Sequence, residues 1–312
     1  MLNIAFLDAS TLGEGVSFLP ILSLGDVRLY DYTTKEQRLE HIADASVVIT
    51  NKVVIDKEIM DACPQLKLIC VAGTGMDTID LNYAQEKGLI VKNAVGYSTH
   101  SVAQTTFALL LELTMRVSVF NQYTHSGTYS AGNLYTCTLY PFHELAGKTL
   151  GIVGMGNIGK QVARIAEAFG MKVRYYSTSG KNASAEGQYE RVDLPTLLRE
   201  SDVVSVHAPK NAQTNNLIDA EQLRWMKPTA FVLNTGRGGI VNEVALTQAL
   251  DEGVIAGAGI DVFEKEPFVP THPFLSMQHP ERLILTPHIA WSSQEARTCL
   301  VEKIAENIRN NA

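Results

Sequence analysis

Cysteine pairs, long apolar runs and basic clusters are all missing from this sequence. Its cysteines, Cys63, Cys70, Cys137 and Cys299, are scattered, with no C-x-x-C pair. That excludes a thiolate metal site, so no metal is expected, and it suits reduced, packed thiols in the cytoplasm. No apolar stretch reaches the roughly 18 residues of a membrane span. The densest candidate, "VAQTTFALLLEL" at 102–113, is too short and too polar. The N-terminal "MLNIAFLDAS" lacks a basic region and a long apolar core, so it reads as a β-strand and not as a signal peptide. There is no basic run or aromatic–basic stripe, and the net charge is −7, which argues against nucleic acid as a partner. Linkers, low-complexity tracts and repeats are lacking too. What remains is a 312-residue chain of ordinary globular composition, long enough for two domains.

Apolar runs alternate with helical periods along that chain. Strands are predicted at 3–8, 27–32, 46–50, 66–73 and 89–93, with helical segments at 35–44 and 79–87 between them. Thr33 and Glu36 form a candidate capping box. A second series of strands is predicted at 148–153, 171–176, 202–207, 230–234, 255–260 and 283–286, with helices at 158–169, 194–200, 219–226 and 242–252. Six strands of this kind match a doubly wound dinucleotide-binding sheet. Long helices are predicted at 99–118 and 293–310, the latter opened by a capping box of Ser292 and Glu295. The fold class is therefore α/β, with two doubly wound parallel-sheet domains. The chain is expected to cross between them at the long helices, which makes the first domain discontinuous: 1–98 plus 289–312, around 99–288.

Residues 148–160, "KTLGIVGMGNIGK", carry the clearest motif. A strand runs into Gly154-x-Gly156-x-x-Gly159 and a helix follows, stopped by Gly170. The glycines allow a tight turn, close backbone approach to a pyrophosphate, and close helix–strand packing. The helix start offers free N–H groups and the positive end of a dipole. The bland alternative is an ordinary Gly-rich turn. Gly147-Lys148-Thr149 mimics the end of a triphosphate-binding loop, but the position of the required upstream glycine holds Phe142 and a strand follows.

Three later stretches each end a predicted strand: "VLNTGRGG" (232–239), "GAGIDVFEKEP" (257–267) and "LILTPHIAW" (283–291). Ligands bind beyond the carboxyl ends of strands in such sheets. Singly, Arg237, Glu266 and His288 read equally well as a solvated arginine, a surface acid and a packed histidine. Together they have complementary chemistry. Arg237 can grip a carboxylate and polarise an adjacent carbonyl. His288 can exchange the proton that accompanies hydride transfer, and Glu266 can orient the imidazole.

With these pieces in place, the chain resembles the D-isomer-specific 2-hydroxyacid dehydrogenases over nearly its whole length. "GTGMDTID" (73–80), "GYSTHSVAQTTFALLLEL" (96–113), "GIVGMGNIGK", "HAPKNAQTNNLID" (207–219), "NTGRGGIVNE", "GIDVFEKEP" and "TPHIAW" carry the resemblance. It implies a flavodoxin-like substrate domain, a Rossmann domain, and a dimerisation arm near 119–147, hence a homodimer. Within the family the glycerate dehydrogenases, or hydroxypyruvate reductases, are most similar. A D-lactate dehydrogenase is the close alternative. A dinucleotide-sensing, corepressor-like binding module is the alternative of another class, disfavoured because the chain begins at its first strand and ends with its last helix. The resemblance assigns catalysis to Arg237, Glu266 and His288. It assigns substrate contact to Gly73, Thr74 and Gly75 as well as Arg237 and His288. Cofactor contacts fall on Asn157 and Ile158 at the pyrophosphate, on His207, Ala208, Pro209 and Thr214 at the adenosine side, and on Thr235, Gly236 and Asp261 near the nicotinamide. Tyr97, Leu134 and Trp291 are candidates for substrate selection, with packing as the equal alternative.

The cofactor itself is ambiguous. At "RYYSTSGKN" (174–182), where an acid would grip the ribose of NAD, the chain has Ser177. Ser177, Thr178, Ser179 and Lys181 could hold a 2′-phosphate instead, although no Arg stands at the strand end. The expectation is NAD(P)(H), with a lean to NADP(H).

Overall fold

A computed structural model describes residues 1–180 and 187–312. Lys181, singled out above, lies outside the described residues. The chain divides into two compact units, Met1–Ser98 with Trp291–Ala312, and Thr99–Ala290.

The first unit is built on β1 (Leu2–Phe6), β2 (Gly25–Leu29), β3 (Val47–Thr50), β4 (Leu68–Val71) and β5 (Ile90–Asn93). All neighbours pair in parallel, in the order β2-β1-β3-β4-β5, which is the flavodoxin-like order. Helices α1 (Leu19–Leu22), α2 (Arg38–Ile42), α3 (Lys57–Ala62), α4 (Leu81–Glu86) and the C-terminal helix Gln294–Asn311 cover the sheet. Strands buried on both faces need continuous apolar runs, and "VVIT" and "LICV" are wholly buried. Alternate side chains feed two cores. Ile4, Phe6, Ile49 and Leu68 pack with Leu300, Ile304 and Ile308 of the C-terminal helix. Ala5, Leu7, Val48 and Ile69 pack with Ile42, Ile59 and Ala84 of the other face.

Several local expectations are corrected here. The second strand starts at Gly25 and ends at Leu29, earlier than predicted. Thr33 does not cap a helix: its hydroxyl donates to the Leu7 carbonyl at 2.5 Å, and α2 begins only at Arg38. The C-terminal helix is capped by Ser293, whose hydroxyl accepts from the Ala296 N–H, one position after the predicted Ser292.

The second unit contains α5 (Thr99–Met115), α6 (Val117–His125), α7 (Thr128–Ala131), β6 (Thr149–Val153), α8 (Asn157–Ala168), β7 (Lys172–Tyr176), β8 (Glu190–Arg191), α9 (Leu194–Glu200), β9 (Val203–Val206), α10 (Ala220–Trp225), β10 (Phe231–Asn234), α11 (Glu243–Asp251), β11 (Gly257–Ile260) and β12 (Leu283–Leu285). Among the described residues its parallel sheet has seven strands, not six, in the order β12-β11-β10-β9-β6-β7-β8. From β6 outward this is the Rossmann order with one strand added at the far edge. That added strand is β12; the one strand the sequence did not predict is β8, two charged, exposed residues with no apolar pattern to read.

The predicted helix at 99–118 is two helices. Arg116 takes a left-handed φ of 53°, and α5 and α6 meet with a bend of 58°. Helix α5 is a core helix: Phe107, Leu109, Leu110 and Leu113 are buried against Leu150, Ile152 and Leu233. Each fully buried Leu or Phe contributes roughly 1.5–3 kcal/mol. Two glycines in β11 make room for it. A Cβ on Gly259 would lie 3.0 Å from Leu109 Cβ, and one on Gly257 would lie 3.2 Å from Leu113 Cδ2. Among the described residues no single helix is long and apolar enough to cross a membrane.

Candidate active site

In the second unit every strand is parallel, so all carboxyl ends lie along one edge of the sheet. The strand order reverses at β6, which has β7 on one side and β9 on the other. The turn after β6 is shaped by its glycines. Gly154 has φ 95°, and a Cβ there would come within 2.8 Å of Ala208 N. A Cβ on Gly159 would reach 2.4 Å from Gly154 O. These two are glycine because backbone lies against them. Gly156 differs: nothing stands within 4 Å of its would-be Cβ. It is the N-cap of α8 with no side-chain cap, and Gly156 and Asn157 are exposed while Ile158 is half-buried. Open space before uncapped helix amides suits an anionic group.

Two buried polar atoms flank this turn without a hydrogen-bond partner among the described residues: Ser177 Oγ, just after β7, and His207 Nδ1, just after β9. The other ring nitrogen of His207, Nε2, lies 2.8 Å from Ser205 Oγ. Burial pushes the His207 imidazole down to about 3, so the ring is neutral. A ligand with hydroxyl and phosphate groups would answer both orphaned atoms. The glycine turn, the bare helix start and these atoms together fit a dinucleotide. Thr178 is half-buried and Ser179 exposed beside them. Ala208 is buried, while Pro209 is exposed. Thr214 is spent on its own loop, where its hydroxyl donates to Pro209 O at 2.7 Å and accepts from Asn211 N–H at 2.8 Å.

The loops after β10, β11 and β12 converge. Asn234 shapes the first: its amide donates to Arg237 O at 2.9 Å, and its Oδ1 accepts the Gly236 N–H at 3.1 Å. Thr235 is buried, with its hydroxyl 3.0 Å from that of Thr106 on α5. Arg237 is half-buried and donates to Gly236 O at 2.9 Å. The third loop carries His288 with φ 54°. Its N–H donates to Asp261 O at 2.8 Å and to Thr286 O at 3.0 Å. Fully buried Asp261 takes both flanks of this loop on its carboxylate: Thr286 Oγ1 (2.6 Å) and Ile289 N–H (2.9 Å) on Oδ1, Ala290 N–H (2.9 Å) on Oδ2. Burial pushes this carboxyl up from its ordinary value, and these donors work against the rise. The histidine ring then meets the second loop, with His288 Nδ1 2.6 Å from Glu266 Oε2. Glu266 is itself held, because its Oε1 accepts the Phe263 N–H at 2.9 Å.

Gly73, Thr74 and Gly75 belong to the first unit and follow β4. Asn93 and Ala94 brace that turn: Thr74 Oγ1 donates to Ala94 O at 3.0 Å, and Asn93 Nδ2 to Thr74 O at 2.6 Å. Tyr97 and Trp291 pack edge to face, 6.2 Å between centroids, against the first unit's core. Leu134 is exposed in the second unit. Sequence reading missed Thr106, Asn234 and Thr286. Each stood inside or beside a quoted motif, but a side chain that braces a loop has no signature distinct from one that packs.

A family model described as "D-isomer specific 2-hydroxyacid dehydrogenase, NAD binding domain" matches residues 107–290. The chain is 36% identical over 312 residues to the hydroxypyruvate reductase of Blautia hydrogenotrophica, covering 98% of this chain and 96% of that protein. Among solved structures it is similar to the D-lactate dehydrogenase of Aquifex aeolicus complexed with NAD and lactic acid, with TM-score 0.85, 29% identity, and 99% and 98% of the two chains covered. It is similar also to the NADPH-dependent glyoxylate/hydroxypyruvate reductase of Sinorhizobium meliloti in complex with NADP and malonate, with TM-score 0.81, 28% identity, and 99% and 92% covered.

Proposed function

Since the chain belongs to the D-isomer-specific 2-hydroxyacid dehydrogenases, a family of oxidoreductases, we propose that it interconverts a small 2-oxo acid and a D-2-hydroxy acid, with hydroxypyruvate or glyoxylate as the oxo acid. The observation that carries this reading is the 2.6 Å contact between His288 and Glu266, on the same sheet edge as the glycine turn. The nicotinamide dinucleotide, when bound, supplies the hydride. With Glu266 ionised, Nδ1 of His288 carries the proton that it shares with the carboxylate. That fixes the tautomer and leaves Nε2 to exchange a proton with the substrate oxygen. Arg237 pairs with the substrate carboxylate and stabilises charge on the reacting oxygen. Asp261 and Thr286 hold His288 in place. Substrate contact at Gly73, Thr74 and Gly75 is proposed on the family resemblance.

The cofactor contacts are proposed at Gly154, Gly156, Asn157, Ile158 and Gly159, and at Ser177, Thr178, Ser179, His207 and Ala208. We assign substrate binding to the unit Met1–Ser98 with Trp291–Ala312, and cofactor binding to Thr99–Ala290. The absence of an acid at Ser177 supports a lean to NADP(H). A kcat/KM more than about tenfold higher with NADH than with NADPH would overturn that lean. Exposed apolar side chains on the segment 117–142, among them Val117, Leu134, Leu139 and Phe142, support association of two copies through it. The free thiols support a reducing, cytoplasmic setting.

The test is initial-rate kinetics on hydroxypyruvate, glyoxylate and pyruvate with each dinucleotide, for the parent and for His288→Ala. The variant should lose about 10²- to 10⁴-fold in kcat while still binding dinucleotide. Near-parental kcat sinks the mechanism. A preference for pyruvate favours the lactate reading, which the Aquifex neighbour supports. Dinucleotide binding without turnover on any oxo acid favours a binding module.

A further inference from the structure

Glu243 closes the motif "NTGRGGIVNE" and has no part in the chemistry above, yet its side chain is only 10% exposed, as is that of His272. Glu243 opens α11. Its Oε1 accepts the Glu264 N–H at 2.6 Å, and its Oε2 lies 2.7 Å from His272 Nε2. His272 Nδ1 accepts the Phe274 N–H at 3.3 Å. That nitrogen is therefore unprotonated, and Nε2–H is the donor to Glu243. The rings of Phe268 and Phe274 enclose the imidazole, each centroid 4.7 Å from its own.

This pair fastens the loop after β11 at two points, Glu264 and His272, with Glu266 between them. The first point also touches the loop that carries Arg237. A Cβ on Gly238 would lie 1.9 Å from Phe263 C and 2.4 Å from Glu264 N. The amide that Glu243 holds is thus pressed against the neighbour of Arg237. A carboxylate this enclosed, holding a backbone N–H on one oxygen and a buried imidazole on the other, cannot swing away without breaking both bonds.

We propose that Glu243 and His272 are positioning residues: their hydrogen-bonded pair sets where Glu266, and through it the His288 ring, stands relative to Arg237. The inference rests on the catalytic reading of Glu266 and His288. A displacement of about 1 Å at such a site costs about 10²-fold in rate, so a loose loop is felt in turnover before it is felt in binding.

The experiment compares His272→Leu, which removes the donor and keeps apolar bulk, with His272→Gln, which restores an N–H near the place of Nε2. His272→Leu should lower kcat by about tenfold or more with the dinucleotide Kd within about twofold. It should also shift the limb of the pH profile of kcat/KM that His288→Ala abolishes. His272→Gln should recover most of the loss. Parental kcat and pH profile in His272→Leu overturn the inference. So does equal impairment of the two variants, or a dinucleotide Kd that rises in step with the fall in kcat. If His272→Leu does not fold, Glu243→Gln takes its place. It still accepts the Glu264 N–H but turns an amide NH₂ toward His272, so a loss of about threefold or more in kcat at unchanged Kd is expected, and parental kcat overturns the inference. His288→Ala runs alongside. If it keeps full activity, the catalytic reading itself falls. If it is inactive while His272→Leu is unimpaired, only the positioning role falls.

Discussion

His288 stands at φ 54°, a setting that costs a non-glycine residue about 1–3 kcal/mol and persists only where neighbours over-determine it. Here Asp261 does so with its carbonyl and both carboxylate oxygens. A second histidine, His207, gives a prediction at this scale. Its folded ring titrates at about 3, against an ordinary value of 6.5. Between those values the unfolded chain binds the extra proton, so the ring's contribution is complete above 6.5 and is lost as pH falls toward 3. Going from about pH 7 to about pH 5, the parent should lose about 1–2 kcal/mol more stability than His207→Gln, measured by urea unfolding. Equal losses would show that the ring is not held neutral. In the sequence, His288 was legible from its motif. Its backbone strain and its dependence on Asp261 were not, because Asp261 lies on a different strand end.

At the scale of elements, the glycines of β11 decide how closely α5 approaches the sheet. Gly259→Ala would place a Cβ 3.0 Å from Leu109 Cβ and 3.1 Å from Leu233 Cδ2. Overpacking of this kind should cost about 1–3 kcal/mol, read as a lower thermal midpoint with the circular dichroism spectrum kept. An unchanged midpoint would mean that α5 can step away from the strand without loss. Most elements were readable because buried parallel strands are continuous apolar runs and the helices between them keep their period. The exceptions have local causes. β8 is "ER", with no apolar residue to betray it. The break at Arg116 interrupts an otherwise regular helical pattern, and nothing in an arginine's chemistry announces a left-handed turn. The capping expectation at Thr33 failed because the Leu7 carbonyl, distant in sequence, competes for that hydroxyl.

For the whole molecule, the exposed apolar segment 117–142 predicts an assembly. Helix α6 has no buried residue, and Leu134 and Leu139 are 73% and 71% exposed. Replacing both by Glu should turn a dimer into a monomer in sedimentation velocity, with each unit still folded. A parent that sediments as a monomer would sink the proposal. The order of motifs along the chain determined the architecture by itself: two α/β units, a glycine turn between strand and helix, and Arg237, Glu266 and His288 at strand ends. These follow from periodicity and backbone sterics, which act over a few residues and so leave a local trace. Only the tertiary structure decided how the loops after β10, β11 and β12 interlock. Asp261, Glu243 and His272 act by holding backbone amides and side chains far away in sequence, and such partners are chosen by the packing of strands, not by the residues beside them.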